Sequence, residues 1–123
     1  LGDVVLGLKG SDCYAWSIDS PVNNEFVAAY EAKYGAKPSP MSVRAWEATS
    51  VALAAIEATG GDTTPEKLRE AILKLDMDTP AGHLSFKANG LGTKDLYINE
   101  VQKIDGEYRW QPIVRYYEGK IVE

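Results

Sequence analysis

The stretch EATGGDTTPEKLREAIL, residues 57–73, holds the end of one helix and the start of another. Gly60-Gly61 stops the first. Thr64 caps the second, Pro65 takes its first position and Glu66 faces its positive end. Leu68, Ala71, Ile72 and Leu75 recur at i, i+3, i+4 and i+7, one apolar stripe of a helix that is expected to stop near Leu75 or Asp76. The character then changes. TPAGHLSFKANG, residues 79–90, carries a short strand from Leu84 to Phe86 and a turn through Asn89, Gly90, Leu91 and Gly92. A capped amphipathic helix therefore runs directly into a strand, and the fold has to accommodate that junction.

Upstream, residues 3–8 are β-branched-rich and read as a buried strand. Residues 10–20 have loop composition, with Tyr14, Trp16 and Ile18 set among polar residues. Ser20-Pro21 starts a helix whose stripe is Phe26, Val27, Tyr30 and Tyr34, and Gly35 supplies its left-handed stop. Ser39-Pro40 starts another. Between Met41 and Thr59, Trp46, Val51, Leu53, Ile56 and many alanines cover most of its surface, so it is expected to be buried on more than one side. Downstream, residues 96–104 are β-prone and Asp105-Gly106 is a hairpin turn. Tyr108 to Val114 return, with Pro112 marking an edge strand. A last strand can follow the Glu118-Gly119 turn. The element order is β-α-α-α-β-β-β, an α/β class without internal repeats.

Composition excludes several functions. The 123 residues are 45% hydrophobic and 25% charged, an ordinary globular balance. Net charge is −5 with no basic run, against nucleic acid as a main partner. No apolar run reaches the roughly 20 residues of a membrane helix. The single cysteine, Cys13, excludes an internal disulfide and has no histidine or basic neighbour in sequence. His83 is the lone histidine and has no nucleophile motif with it, so it reads as structural. Asp76 and Asp78 lack the further ligands of a calcium loop and read as two solvated carboxylates at a helix end. The glycine pairs are turns and not phosphate loops. No catalytic constellation and no cofactor motif emerges, so the chain reads as non-enzymatic. The opening residues contain no initiator Met and no signal peptide. The chain reads as a fragment, or as a mature piece of a longer precursor.

Four segments in order carry a resemblance: VVLGLKGSDCYAWSID, SPVNNEFVAAYEAKYGAKPSP, RAWEATSVALAAIEATGGDTTPEKLREAILKL, and MDTPAGHLSFKANGLG followed by LYINEVQKIDGEY. Together they resemble the C-terminal third of the type 1 periplasmic binding proteins of branched-chain amino-acid ABC transporters. The leucine/isoleucine/valine-binding protein is the namesake of that family. The likeness covers nearly all of residues 1–118. It implies two α/β lobes with a solute cleft between them. Residues 1–19 are then a strand of lobe 2 and a hinge crossing. Residues 20–76 are three helices of lobe 1, residues 77–84 a second crossing, and residues 85–123 the β segment of lobe 2. It implies non-catalytic capture of a small solute, hinge closure, a membrane permease as partner and a periplasmic location. The remaining faces are expected from an upstream part of the same protein or from an intertwined oligomer. The family places the start of the middle helix against the ligand, which points to Met41, Ser42 and Arg44. The aromatic crossing loop offers Tyr14 and Trp16. First-turn packing for Met41, a solvated charge for Arg44 and a hinge brace for Trp16 stay open. A Tyr-x-Trp pair suits an aromatic acid or an amide as well as leucine. A ligand-sensing regulator of the same fold is the alternative.

Overall fold

A computed structural model describes residues 2–122. A 3-10 turn at Gly2–Val5 precedes strand β1 (Lys9–Asp12) and helices α1 (Pro21–Tyr34), α2 (Pro40–Ala58) and α3 (Pro65–Ile72). Strands β2 (Asp76–Thr79), β3 (Gly82–Phe86), β4 (Gly92–Lys94), β5 (Leu96–Ile104), β6 (Glu107–Tyr117) and β7 (Lys120–Ile121) follow. They form two antiparallel sheets, one ordered β1-β5-β6-β7 and the other β2-β3-β4.

The helix boundaries follow local chemistry. The Ser20 hydroxyl accepts from the backbone N–H of Asn23, and Gly35 sits at φ 66° as the left-handed stop of α1. Ser39 and Ser42 form a reciprocal capping box at the start of α2. Asp105 and Gly106 adopt φ of 54° and 85°, the paired positive values that a two-residue hairpin turn needs. Pro112 lies beside a bulge, since Ile98 pairs with Val114 and Asn99 with Pro112. β7 covers β6 only at Tyr116 and Tyr117. The missing N–H of Pro112 therefore falls where β6 is the outer strand.

Five expectations are corrected. The apolar run at residues 3–8 is not a strand. Val4, Leu6 and Leu8 are exposed, and the backbone closes on itself through Leu6 N–H to Asp3 and Leu8 N–H to Val5. The strand forms instead at polar Lys9–Asp12, inside the expected loop, because the edge of β5 offers it partners. α3 ends at Ile72, short of Leu75, because Asp76 already pairs with Ser85 in β2–β3. Asp76 and Asp78 accordingly belong to a strand and not to a helix end. α2 buries only one stripe: Val43, Glu47 and Ala55 are buried, while Leu53 is 62% exposed.

The core joins helices to sheets. Tyr14, Ala15 and Ile18 meet Val43 of α2, Ala81 of the β2–β3 turn and Tyr97 of β5. Polar clamps surround it. The Glu47 carboxylate, buried on α2, accepts from Lys94 Nζ at 2.6 and 2.8 Å and from Thr79 Oγ1 at 2.8 Å. Buried Asp95 accepts from the His83 N–H at 3.1 Å and faces Arg115 at 3.3 Å. Gly82 sits at φ 105° against this carboxylate, and a Cβ there would lie 1.9 Å from Asp95 Oδ2. Only glycine fits.

Candidate functional site

Along β5 the residues Tyr97, Asn99 and Val101 are buried and alternate with less buried neighbours. They share the inner face of the sheet. Cross-strand partners lie on the same face, so Gly10 opposite Asn99 and Trp110 opposite Val101 belong to it. The start of α2 stands against this face. Between them lies a cavity of about 240 Å³, lined by Gly10, Asp12, Tyr14, Pro40, Asn99 and Trp110 among others. Gly10 lets the indole come close: a Cβ there would touch the Trp110 ring at 3.5 Å.

Asp12 links the cavity to the first turn of α2. Its Oδ1 accepts from the Cys13 N–H at 2.7 Å and from Arg44 Nη2 at 3.3 Å. The same guanidinium reaches Cys13 Sγ at 3.5 Å and Met41 Sδ at 3.3 Å. The Cys13 sulfur, and after it the Asp12 carboxylate, push the already high pKa of Arg44 further up. The fold thus gives Cys13 the basic neighbour that its sequence surroundings lack.

The five residues expected at a site divide between three places. Arg44 meets both Asp12 and Met41, and Tyr14 lines the same cavity as Asp12. Tyr14 is 2% exposed and donates its hydroxyl to Asn23 Oδ1 at 2.9 Å. Burial pushes its phenol pKa up, so it stays neutral. Trp16 lies elsewhere, with Lys37 Nζ 4.6 Å and the Arg109 guanidinium 5.4 Å from its ring centroid. It borders a separate groove with Glu31 and Gln111. Ser42 turns to α1, where its hydroxyl donates to Tyr30 Oη at 3.1 Å. It lines an aromatic groove with Phe26, Tyr34 and Trp46.

Asn99, Trp110, Gly10 and Asp12 were not legible as site residues. The only available hint was the two-residue period of β5, which sets Asn99 in an otherwise apolar row. His83 stands between the exposed carboxylates of Asp76 and Asp78 at 3.3 and 3.4 Å, edge-on to Tyr117. Among the described residues, no group of three or more histidines, cysteines or carboxylates is arranged to hold a metal ion.

The profile of the family described as periplasmic binding protein matches residues 1–107. The chain belongs to this family. The chain is 35% identical over 108 residues to Leu/Ile/Val-binding protein homolog 6 of Brucella abortus, covering 85% of the chain and 28% of that relative. A solute-binding protein of an ABC transporter from Rhodopseudomonas palustris, solved with 3,4-dihydroxybenzoic acid, superposes with a TM-score of 0.91. It is 28% identical, and the match covers 98% of this chain and 33% of that one. A second solute-binding protein from R. palustris, in complex with 4-hydroxybenzoate, gives 0.82 at 34% identity over 94% and 32% of the two chains. The chain therefore spans about a third of the length of these relatives. Its three helices and two antiparallel sheets match a piece of their two-lobe fold.

Proposed function

We propose that the protein carrying this chain is the binding component of an ABC importer. It captures a small solute without chemical conversion, and the solute is an amino acid, an amide or an aromatic acid. The observation that carries this reading is the cavity between the start of α2 and the inner face of β1, β5 and β6. A helix start and a sheet face converge there on one half-open space, with Asp12 in its lining and Arg44 and Met41 linked to it through the Asp12–Arg44 contact. Two opposed walls are what a closing cleft needs, because a ligand that touches both stabilises the closed form over the open one.

In this reading, residues 1–19 are a segment of lobe 2 and a hinge crossing, residues 20–76 belong to lobe 1, residues 77–84 are the second crossing and residues 85–123 belong to lobe 2. The uncovered apolar side chains of α2, Leu53 and Ile56, and those of Leu6 and Leu8, support a further layer over them. An upstream part of the same protein supplies that layer, or a second copy does so by intertwining. The closed form docks on a membrane permease from the periplasmic side. Tyr14, Met41 and Arg44 serve the ligand wall directly. Trp16 and Ser42 act at its borders, bracing the loop and the helix start.

The test is a thermal-shift screen of the intact protein against amino acids, amides and aromatic acids. A ligand present at about 100 times its Kd adds about 2.7 kcal/mol of stability, which is readily seen. If no solute of these classes raises the melting temperature, the reading fails. A ligand-sensing regulator would also show a shift, but without binding to reconstituted permease.

A further inference from the structure

Asn99 is out of place by composition. It sits between Tyr97 and Val101 on the buried face of β5 and is 3% exposed. Its Oδ1 is buried with no hydrogen-bond partner among the described residues. Buried acceptors are normally paired, so an orphan in this row calls for an explanation. Its cross-strand neighbours cannot supply a donor from their side chains: they are Gly10 on one side and Pro112 on the other. Pro112 also lacks a backbone N–H. Two buried side chains line the cavity. Tyr14 commits its hydroxyl to Asn23, and Asn99 leaves its carbonyl unmatched.

We propose that Asn99 determines ligand specificity by accepting a hydrogen bond from a ring hydroxyl of a planar aromatic acid that lies against Trp110. This rests on the binding reading above and deepens it. Three features select that chemistry. The indole of Trp110 and the bare backbone at Gly10 provide a flat apolar wall. Asp12 already pairs with Arg44, so the cavity offers no free carboxylate for the ammonium of an amino acid. A neutral acceptor against an apolar wall suits a neutral donor on an apolar ring. An enclosed apolar cavity of about 150 Å³ already admits benzene, so about 240 Å³ is room for one substituted ring.

The test titrates the intact protein calorimetrically with 4-hydroxybenzoate, benzoate and leucine. The wild type is expected to bind 4-hydroxybenzoate at least about tenfold more tightly than benzoate, since a site built around a hydroxyl rejects the analogue that lacks it. Asn99→Leu is expected to close that gap to within about twofold, mainly by weakening the hydroxylated ligand. Trp110→Leu is expected to weaken both aromatic acids together and to keep the gap. It reads the same site should Asn99→Leu fail to fold. Equal affinity of the wild type for the two acids overturns the proposal. So does a gap that survives Asn99→Leu, because a bound water then satisfies the carbonyl. Binding of leucine without either aromatic acid overturns it too, and leaves the binding function standing. Binding of no solute of any class sinks both.

Discussion

Replacing Asn23 by alanine should cost more than any other single polar change on α1. Asn23 is fully buried one turn into that helix. Its amide Nδ2 donates to the carbonyls of Trp16 at 3.0 Å and Ile18 at 2.7 Å, and its Oδ1 accepts from Tyr14 Oη at 2.9 Å. One side chain thus ties the whole Tyr14–Ile18 loop to α1. Asn23→Ala strands one buried hydroxyl and two carbonyls. Each stranded group costs about 1–3 kcal/mol, and partial relaxation toward water keeps the sum at about 3–5 kcal/mol. Against a domain stability of about 5–15 kcal/mol that is a large share. Tyr14→Phe removes only one donor and should cost about 1–2 kcal/mol. Because the two groups touch, the double variant should fall short of the sum by about 1 kcal/mol. The neighbouring exposed Asn24, whose side chain donates to Asp19, is the control and should change stability by less than about 0.5 kcal/mol on truncation. Urea unfolding of the intact protein, followed by tryptophan fluorescence, reads all four variants. A cost below about 1 kcal/mol for Asn23→Ala, or strict additivity with Tyr14→Phe, would refute the idea that this loop is held by buried hydrogen bonds.

Gly82→Ala should lower the melting temperature far more than Gly60→Ala, although both glycines have positive φ. The first drives a Cβ into buried Asp95, and the second meets nothing within 4 Å. Equal shifts would mean that backbone conformation alone decides. Asp3 has its carboxyl pKa lowered by the Tyr108 hydroxyl and then by Lys103. A depressed carboxylate adds stability above its unfolded value near ~3.9 and loses it as pH falls through the folded value. Acid should therefore release the N-terminal turn from β5 and β6 only below that range, and Asp3→Asn should remove this acid dependence. An NMR titration placing Asp3 at or above the ordinary carboxylate range would contradict it. Finally, residues 1–123 expressed alone should self-associate, because Leu53, Ile56, Leu6 and Leu8 are left open. Each such side chain is worth about 1.5–3 kcal/mol when buried, and a cooperative monomer by light scattering would count against the further layer proposed above.

Local chemistry was the legible part of this fold. Ser20-Pro21, Gly35, Ser39-Pro40 and Asp105-Gly106 state their turns and caps in the residues themselves, and each is realised. What depended on distant partners was not legible. Lys9–Asp12 is a strand only because β5 lies beside it, and the apolar run before it is not one: Gly7 and Leu8 bond Val101 of β5, but Val4, Leu6 and Leu8 stay exposed among the described residues. The site divides in the same way. Met41 and Arg44 could be named only through the family resemblance, and the structure sets them in contact with each other at the start of α2. Asp12 could not be named, because 32 positions separate it from the guanidinium it meets. Asn99 announces itself only once its neighbours across the sheet are known to be Gly10 and Pro112.

The ion pair between buried Glu47 of α2 and Lys94 of β4 bears on how firmly that site is set. Taking the Glu47 carboxylate out of water is costly, and the cost is offset only with Lys94 and Thr79 in place. That requirement fixes α2 in rotation against β2 and β4. Val43, one turn earlier on the same face, reaches the core at 0% exposure. With Val43 and Glu47 both directed inward, Arg44 is left at the side of the helix nearest β1, where Asp12 accepts its guanidinium. The Glu47 contacts to Thr79 and Lys94 thus tie α2 to β2 and β4 on the face that also carries Val43, and the helix start lies beside the wall that carries Asn99.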